Sequence, residues 1–204
     1  MALQQAPDLT SLSNMNIARP AQAAVRNRRP LSLLNRLFGE TRQRAALDPL
    51  YRAIVAAGRD PAWYRDGAVP DTLDGRFDII AALTALVLLR IEAGGEAGRG
   101  PSVLLTEIFI DDMAGTLRQI GIGDYVVGKH LGRMVSALGG RLSAFRPAYA
   151  GDAGFEGPAR RNIFHESPPS AEALAFVAAR LAHFSETLKA ASLPALLDGA
   201  LPGP

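Results

Sequence analysis

Two adjacent carboxylates, Asp111 and Asp112, are the side chains of this sequence that first suggest chemistry. Carboxylate oxygens are ligands that divalent cations prefer, and some enzymes bind them through the pattern Asp-Asp-x-x-Asp. That pattern would need an acid at position 115, where the sequence has Gly115. Neighbouring residues on a helix also point about 100° apart, so both carboxylates cannot face one ion. We therefore expect no metal site, and either an ion pair between Asp111 and an arginine or simple hydration.

Other arrangements that support catalysis or cofactor binding are missing from the sequence. There is no cysteine, and three histidines fall on different predicted elements without a second ligand at metal-binding spacing, namely His130, His165 and His183. The glycines near position 121 lack the Gly-x-Gly-x-x-Gly spacing of a dinucleotide-binding loop. The sequence therefore predicts a protein without metal, cofactor or enzymatic activity. A site around Asp111, Arg118 and His130 is the remote enzymatic alternative.

The charge of the chain is distributed unevenly. The 204 residues carry a net charge of +2, but residues 1–46 contain seven arginines and two acidic residues, a balance of +5, which leaves −3 for the remainder. A net acidic remainder, without aromatic side chains among its basic ones, argues against specific DNA or RNA binding. No apolar stretch approaches the roughly 20 residues of a membrane-spanning helix, and no secretory signal is visible. We therefore expect a protein that is soluble or peripheral to a membrane.

Residues 1–46 are predicted to form a basic, largely disordered tail, because polar residues and alanine dominate and no periodic pattern is sustained. A short amphipathic helix is expected near residues 31–38, where leucines recur at helical spacing among arginines. Such a helix can lie on an anionic membrane surface, through Arg28, Arg29, Leu33, Leu34, Arg36, Leu37 and Phe38. The alternatives are a solvated arm whose leucines cover the core, contact with the ribosome, and a mitochondrial presequence.

Residues 47–192 are predicted to form a single compact helical domain. Long segments repeat apolar residues with the period of a helix, and no segment alternates with the period of two that marks a strand. The fold class is therefore expected to be all-α, with five to six main helices. Asp48-Pro49 has the form of a helix start, an N-cap followed by proline at the first helical position. Residues 193–204, rich in glycine and proline, are expected to form a disordered C-terminal tail.

Start and stop signals order the predicted helices. Thr72 or Asp71 can cap a long helix that is apolar on nearly all sides, and such a helix belongs at the centre of a bundle. The glycine-rich residues 94–101 are expected to form a loop before the next helix. Residues 146–170 are expected to form a second loop, before a last helix that Ser170 can cap.

Residues 121–124, which read Gly-Ile-Gly-Asp, predict a tight corner between two helices, because glycine commonly ends a helix and aspartate commonly caps the next one. The helix that follows is expected to carry a basic face of Lys129, His130 and Arg133. Arg141 would extend this face if the helix continues that far. A basic face of this kind suits contact with an anionic partner.

A ridge of small residues is predicted on another side of the same helix, at Gly128, Gly132 and Ser136. Each glycine inside a helix costs about 1 kcal/mol relative to alanine, so some close contact should offset this cost. That contact is either with a neighbouring helix of the same molecule or with a partner protein. The sequence leaves both alternatives open.

Residues 107–145 resemble the signature of the ubiquinol–cytochrome c chaperone family, and weaker similarity extends over residues 48–150. The family elements Phe-x-Asp-Asp-Met, Leu-Arg, Gly-x-Gly-Asp, Val-Gly-Lys and Gly-Arg all have counterparts here. The matching block consists of Phe109, Asp111, Asp112, Met113, Leu117, Arg118, Gly121, Gly123, Asp124, Val127, Gly128, Lys129, Met134, Gly140 and Arg141. Ala114 and Gln119 depart from the bacterial form, in which an acidic residue is common at both positions.

The resemblance implies an α-helical, non-enzymatic assembly chaperone. Its client would be newly made cytochrome b, or another subunit, during assembly of the respiratory bc1 complex. Mitochondrial members of the family act with a small partner subunit and contact the ribosome. An arginine-rich and alanine-rich composition suggests a bacterial source, which would place the protein at the cytoplasmic side of the inner membrane. A eukaryotic source would place it in the mitochondrial matrix.

The surface expected to bind a partner protein lies around the predicted corner. It consists of Asp111, Asp112, Arg118, Asp124, Gly128, Lys129, Gly132, Arg133 and Arg141. The alternative function is a peripheral membrane or regulatory adaptor unrelated to the bc1 complex, which the basic tail would hold in place.

Overall fold

The computed structural model describes residues 31–119, 124–165 and 169–204, with side chains from Arg42 onward except those of residues 124–127 and Lys129. The chain divides into two compact units, Met1–Arg36 and Leu37–Pro204, and the helical bundle belongs to the second. The predicted tail of residues 1–46 is helical from Leu31 onward, beyond the short helix expected near residues 31–38, and its first 30 residues lie outside the described part.

The fold is built from helices, and the described residues contain no strand. In chain order the elements are α1 (Leu31–Gly58), α2 (Ala62–Arg65), α3 (Leu73–Glu92), α4 (Glu96–Gln119), α5 (Asp124–Ala150), α6 (Glu156–Ala159), a π-helical turn (Arg160–Phe164), α7 (Ala171–Ala190) and α8 (Leu193–Leu197). The predicted all-α class is confirmed, and α1, α3, α4, α5 and α7 are its main helices. None of the described helices combines the length and the apolarity needed to cross a membrane.

Helix α3 lies at the centre of the bundle, as its apolar composition predicts. Every residue from Asp78 to Leu89 is buried, and α3 contacts α4, α5, α7 and the π-helical turn. A helix that is apolar on nearly all sides is stable where other helices cover it, which explains this position. Large aromatic side chains complete the core around it, since Trp63, Phe109, Phe145 and Phe184 are fully buried.

The helix starts predicted at two hydroxyl side chains are confirmed. The Thr72 hydroxyl accepts a hydrogen bond from the backbone N–H of Gly75 at 3.2 Å. The Ser170 hydroxyl accepts one from the backbone N–H of Ala173, also at 3.2 Å. Each bond satisfies a first-turn donor that the helix itself leaves without a partner. Local chemistry therefore determines where α3 and α7 begin.

Two predicted boundaries are wrong, because prolines do not interrupt the helices that contain them. Pro49 lies inside α1, and Pro101 lies inside α4, which begins at Glu96 instead of after the expected loop. Leu47 and Leu50 on either side of Pro49 are buried. Packing of both leucines against the core favours a continuous helix, and this tertiary contact outweighs the local effect of proline.

The segment 146–170 is more helical than the sequence predicts. Helix α5 continues to Ala150, and α6 with the π-helical turn fills much of the remainder. Phe155, Ile163 and Phe164 are buried. These apolar side chains make the segment a cover for the core, where its prolines and glycines had suggested a surface loop.

The C-terminal residues 193–204 differ from the disordered tail that their composition predicts. Leu196 is fully buried, and three further leucines pack against the core, namely Leu193, Leu197 and Leu201. Arg180 holds the last residue by donating a hydrogen bond to the Pro204 carbonyl at 3.2 Å. The same guanidinium pairs with Asp60 at 2.6 Å. Burial of these leucines stabilises an ordered segment, although its glycines and prolines predict disorder.

Candidate functional site

The two helices at the predicted corner pack against each other. Helices α4 and α5 are separated by residues 120–123, which lie outside the described part. Ala114 and Leu117 of α4 are buried beside Leu131 and Met134 of α5, and these two α5 side chains also pack against the main core. Apolar side chains therefore hold α4 and α5 together and join the pair to the rest of the core.

The two carboxylates of α4 tie this helix to α1. Asp111 forms an ion pair with Arg44, and Asp112 accepts a hydrogen bond from the Tyr51 hydroxyl at 2.8 Å. Burial raises the pKa of Tyr51, and the hydrogen bond to Asp112 raises it further, so the phenol keeps its proton and remains a donor. The predicted ion pair of Asp111 with an arginine is confirmed. Among the described residues no group of side chains is arranged to hold a metal ion.

The basic face predicted on α5 is described in part. Arg133 is exposed, and its guanidinium lies 3.2 Å from the His130 ring. Arg118 is exposed in the last turn of α4. The side chains of Asp124 and Lys129 lie outside the described part. Two of the predicted basic residues, Arg118 and Arg133, are therefore at the surface of the α4–α5 pair.

Arg141, predicted to extend the basic face, is instead buried, with 4% of its side chain exposed. Its guanidinium forms an ion pair with Asp78 of α3 and donates a hydrogen bond to the Asn162 carbonyl at 2.7 Å. It also lies 5.4 Å from the centre of the Phe77 ring. Arg141 therefore belongs to the interior and not to the partner surface, because α5 continues beyond Leu138 and packs this residue against α3.

A half-exposed histidine lies at the edge of this buried polar cluster. Nε2 of His165 lies 2.8 Å from the second carboxylate oxygen of Asp78. His165 has a positive φ of 49°, which residues with a Cβ rarely adopt. Burial raises the pKa of Asp78, while the charge of Arg141 and the hydrogen bond with His165 act in the opposite direction. No role for Asp78 is predicted from the sequence, although an acid directly before the apolar run that starts at Ile79 signals a buried partner.

The small residues of α5 face solvent along most of the helix. The exposed positions are Gly128, Gly132, Val135, Ser136, Gly139 and Gly140, and we call these six residues the small-residue face. A Cβ added at any of the four glycines would meet no described atom within 4 Å. The apolar side chain of Val135 is 42% exposed. Within the described molecule, therefore, no neighbouring helix approaches this face closely.

The residues predicted to contact a membrane fall outside what the structure describes. Arg28 and Arg29 precede the described residues. The other five belong to α1, but their side chains are not among those described, namely Leu33, Leu34, Arg36, Leu37 and Phe38. Their contact with a membrane remains a prediction.

Comparisons with known proteins cover the helices that carry these features. The sequence model described as Ubiquinol-cytochrome C chaperone matches residues 65–201, more than half of the chain. The crystal structure of the Cbp3 homolog from Brucella abortus has a similar fold, with a TM-score of 0.70 and 26% sequence identity, over 85% of this chain and 96% of that chain. No curated protein matches the sequence. The matched region includes the α4–α5 pair, the buried polar cluster and the small-residue face.

Proposed function

The chain belongs to the ubiquinol–cytochrome c chaperone family, and we propose that it binds newly made cytochrome b while the bc1 complex is assembled. Membership makes it a helical chaperone of ubiquinol–cytochrome c reductase assembly. We propose further that it acts by binding alone, without a catalytic step. The similarity to the Cbp3 homolog over most of both chains supports this proposal.

The small-residue face is the observation that carries the proposal, because no described part of the molecule covers it. Each of its glycines costs α5 about 1 kcal/mol relative to alanine. A partner helix that approached the backbone of α5 closely would offset this cost, and helices of membrane proteins pack through small residues in this way. We therefore propose that a helix of the client lies along this face and covers Val135.

Charged residues beside the small-residue face are proposed to orient the client. They lie in the turns of α4 and α5 next to the corner, at Arg118, Asp124, Lys129 and Arg133. Asp111 and Asp112 act indirectly in this proposal, since both are engaged by side chains of α1 and hold α4 in place.

We place the protein at the cytoplasmic surface of the inner membrane, where a newly made membrane subunit would be met. The net charge of +5 on residues 1–46 supports contact with anionic lipids, because basic segments are attracted to the negative membrane surface. A small partner subunit and the ribosome are further partners expected from the family resemblance.

Deletion of the gene tests the proposed function in the cell. We expect a strain that lacks the protein to contain less cytochrome b and less assembled bc1 complex, while other respiratory complexes are unchanged. Immunoblots of membranes and native gels measure both quantities. Normal cytochrome b and normal bc1 complex in the deletion strain would contradict the proposal.

Reversal of charge at Lys129 and Arg133, in the double variant K129E/R133E, is expected to weaken cytochrome b binding about tenfold, because charged rims guide and orient association. The fold should survive, since Arg133 is exposed. Co-purification of cytochrome b from detergent-solubilised membranes measures binding, and circular dichroism measures helix content. The control is Arg160→Glu, which reverses an exposed arginine on the π-helical turn. Undiminished recovery of cytochrome b with the double variant would exclude both residues from the client surface.

A further inference from the structure

A cleft of about 150 Å³ opens between α1, α3 and α4, on the side of α4 that carries Asp112. Its apolar floor consists of Val55, Phe77, Ile80 and Met113, and Leu73 and Thr116 also line it. Arg59, Arg76 and Asp112 stand at its rim. The cleft therefore combines a small apolar floor with charges at its entrance, and its size suits one bulky side chain.

Leu73 marks the open side of this cleft. Its side chain is 49% exposed, although it is a large apolar residue at the first position of α3. Ile80 and Met113 deeper in the cleft are almost fully buried, at 7% and 6%. A gradient from buried to exposed apolar surface, bordered by charges, is typical of a site that another molecule covers.

The charges at the rim differ in whether they are already paired. Arg76 forms an ion pair with Asp71 at 2.7 Å, and Asp112 accepts the hydrogen bond from Tyr51. Arg59 forms no ion pair with any side chain in the described part of the chain. Its guanidinium is exposed at the end of α1. An unpaired guanidinium beside an apolar cleft favours a ligand that carries a carboxylate.

We propose that this cleft binds a segment of the client that inserts one bulky apolar side chain and places an adjacent acidic residue against Arg59. The proposal rests on the proposed function, because it takes the client to be the newly made membrane subunit. It assigns a second contact, distinct from the small-residue face, which uses Asp112 and Met113 of α4 and not the residues Ala114 and Leu117 that pack against α5. Burial of the inserted side chain against the apolar floor supplies affinity. The ion pair between Arg59 and the acidic residue of the client makes the binding specific for that segment.

Photo-crosslinking from the full-length chain tests the proposal. A photoreactive phenylalanine analogue is placed at Leu73 in one variant and at Val103 in the control variant, because both side chains are apolar and exposed, at 49% and 58%. Each variant is expressed in cells with tagged cytochrome b and then irradiated. We expect cytochrome b to crosslink from position 73 and not from position 103. Mass spectrometry of the crosslinked peptide should identify a segment with neighbouring apolar and acidic residues.

Substitutions supply a second, quantitative readout. Leu73→Gln and Arg59→Glu should each reduce recovery of cytochrome b about tenfold, the equivalent of one lost anchoring contact. Val103→Gln and Arg160→Glu are the matched controls and should change recovery less than twofold by the same arithmetic. Circular dichroism confirms that each variant is folded. In the Arg59→Glu background, replacing the acidic residue of the crosslinked segment by lysine should restore recovery.

The outcomes separate this proposal from the proposed function. Cytochrome b that co-purifies normally but neither crosslinks from position 73 nor responds to both substitutions would overturn the cleft proposal alone. A crosslink from position 73 to a second copy of the chain would also overturn it, in favour of a dimer contact. Failure of the unmodified protein to retain any cytochrome b would overturn both proposals together.

Discussion

Replacing Arg141 by alanine is expected to lower the free energy of unfolding by about 3–5 kcal/mol, because the change leaves the Asp78 carboxylate buried without its main ionic partner. Both side chains of the pair are almost fully buried, at 4% and 6% exposure. The substitution also removes a hydrogen bond to the Asn162 carbonyl. Urea denaturation followed by circular dichroism measures the effect.

Two comparisons make the Arg141 experiment specific. Arg133→Ala removes an exposed arginine from the same helix and should change stability by less than about 0.5 kcal/mol. The double variant Asp78→Leu/Arg141→Met replaces both charges by apolar side chains and should recover most of the lost stability, since no buried charge is left unpaired. A loss below about 1 kcal/mol for Arg141→Ala would mean that water reaches Asp78 and that the pair is not structural.

Replacing Gly132, Gly139 and Gly140 together by alanine is expected to stabilise the protein by about 2–3 kcal/mol, because each glycine lies inside α5 and alanine favours the helix. The added methyl groups meet no described atom within 4 Å, so they introduce no internal clash. The same methyl groups would hold a partner helix away from the backbone of α5. We therefore expect the triple variant to be more stable and yet to bind cytochrome b less well.

The opposite signs of the two effects are what make the triple variant informative. Most point substitutions destabilise a protein, which makes a loss of binding ambiguous, whereas this variant should gain stability. Gly98→Ala is the contrasting control, because a Cβ there would overlap the Ile91 carbonyl and should destabilise the fold. Full cytochrome b binding by the triple variant would remove the small-residue face from the client surface, and reduced stability would mean that the glycines are packed.

The helical class and the starts of two long helices are predictable from the sequence because they depend on short-range chemistry. The Thr72 and Ser170 hydroxyls each reach a backbone N–H three residues ahead, and this contact needs nothing from the rest of the chain. The central position of α3 is predictable for a related reason, since a helix that is apolar on nearly all sides must be covered. The sequence shows the pattern of small residues in α5, but it does not show whether another part of the molecule covers them.

The boundaries at the prolines are not predictable from such local signals. Proline removes one backbone donor wherever it stands, and its effect on a helix then depends on what the neighbouring side chains bury. Leu47 and Leu50 are buried around Pro49, and the helix continues. From the sequence alone, the leucines of residues 193–204 likewise belong to a predicted tail. Only the folded bundle provides the surface against which they pack.

Composition, periodicity and capping residues are enough to establish a helical protein with a basic N-terminal segment and a ridge of small residues, because each depends on residues close together in the chain. Packing of the helices into a bundle decides which side chains are buried and which are exposed. It carries Arg141 into the core to meet Asp78, 63 positions away, and brings His165 to the same carboxylate over a separation of 87. It also leaves the glycines of α5 facing solvent. These outcomes depend on how α5 is rotated against α3, which is a property of the packed helices together and of no single segment.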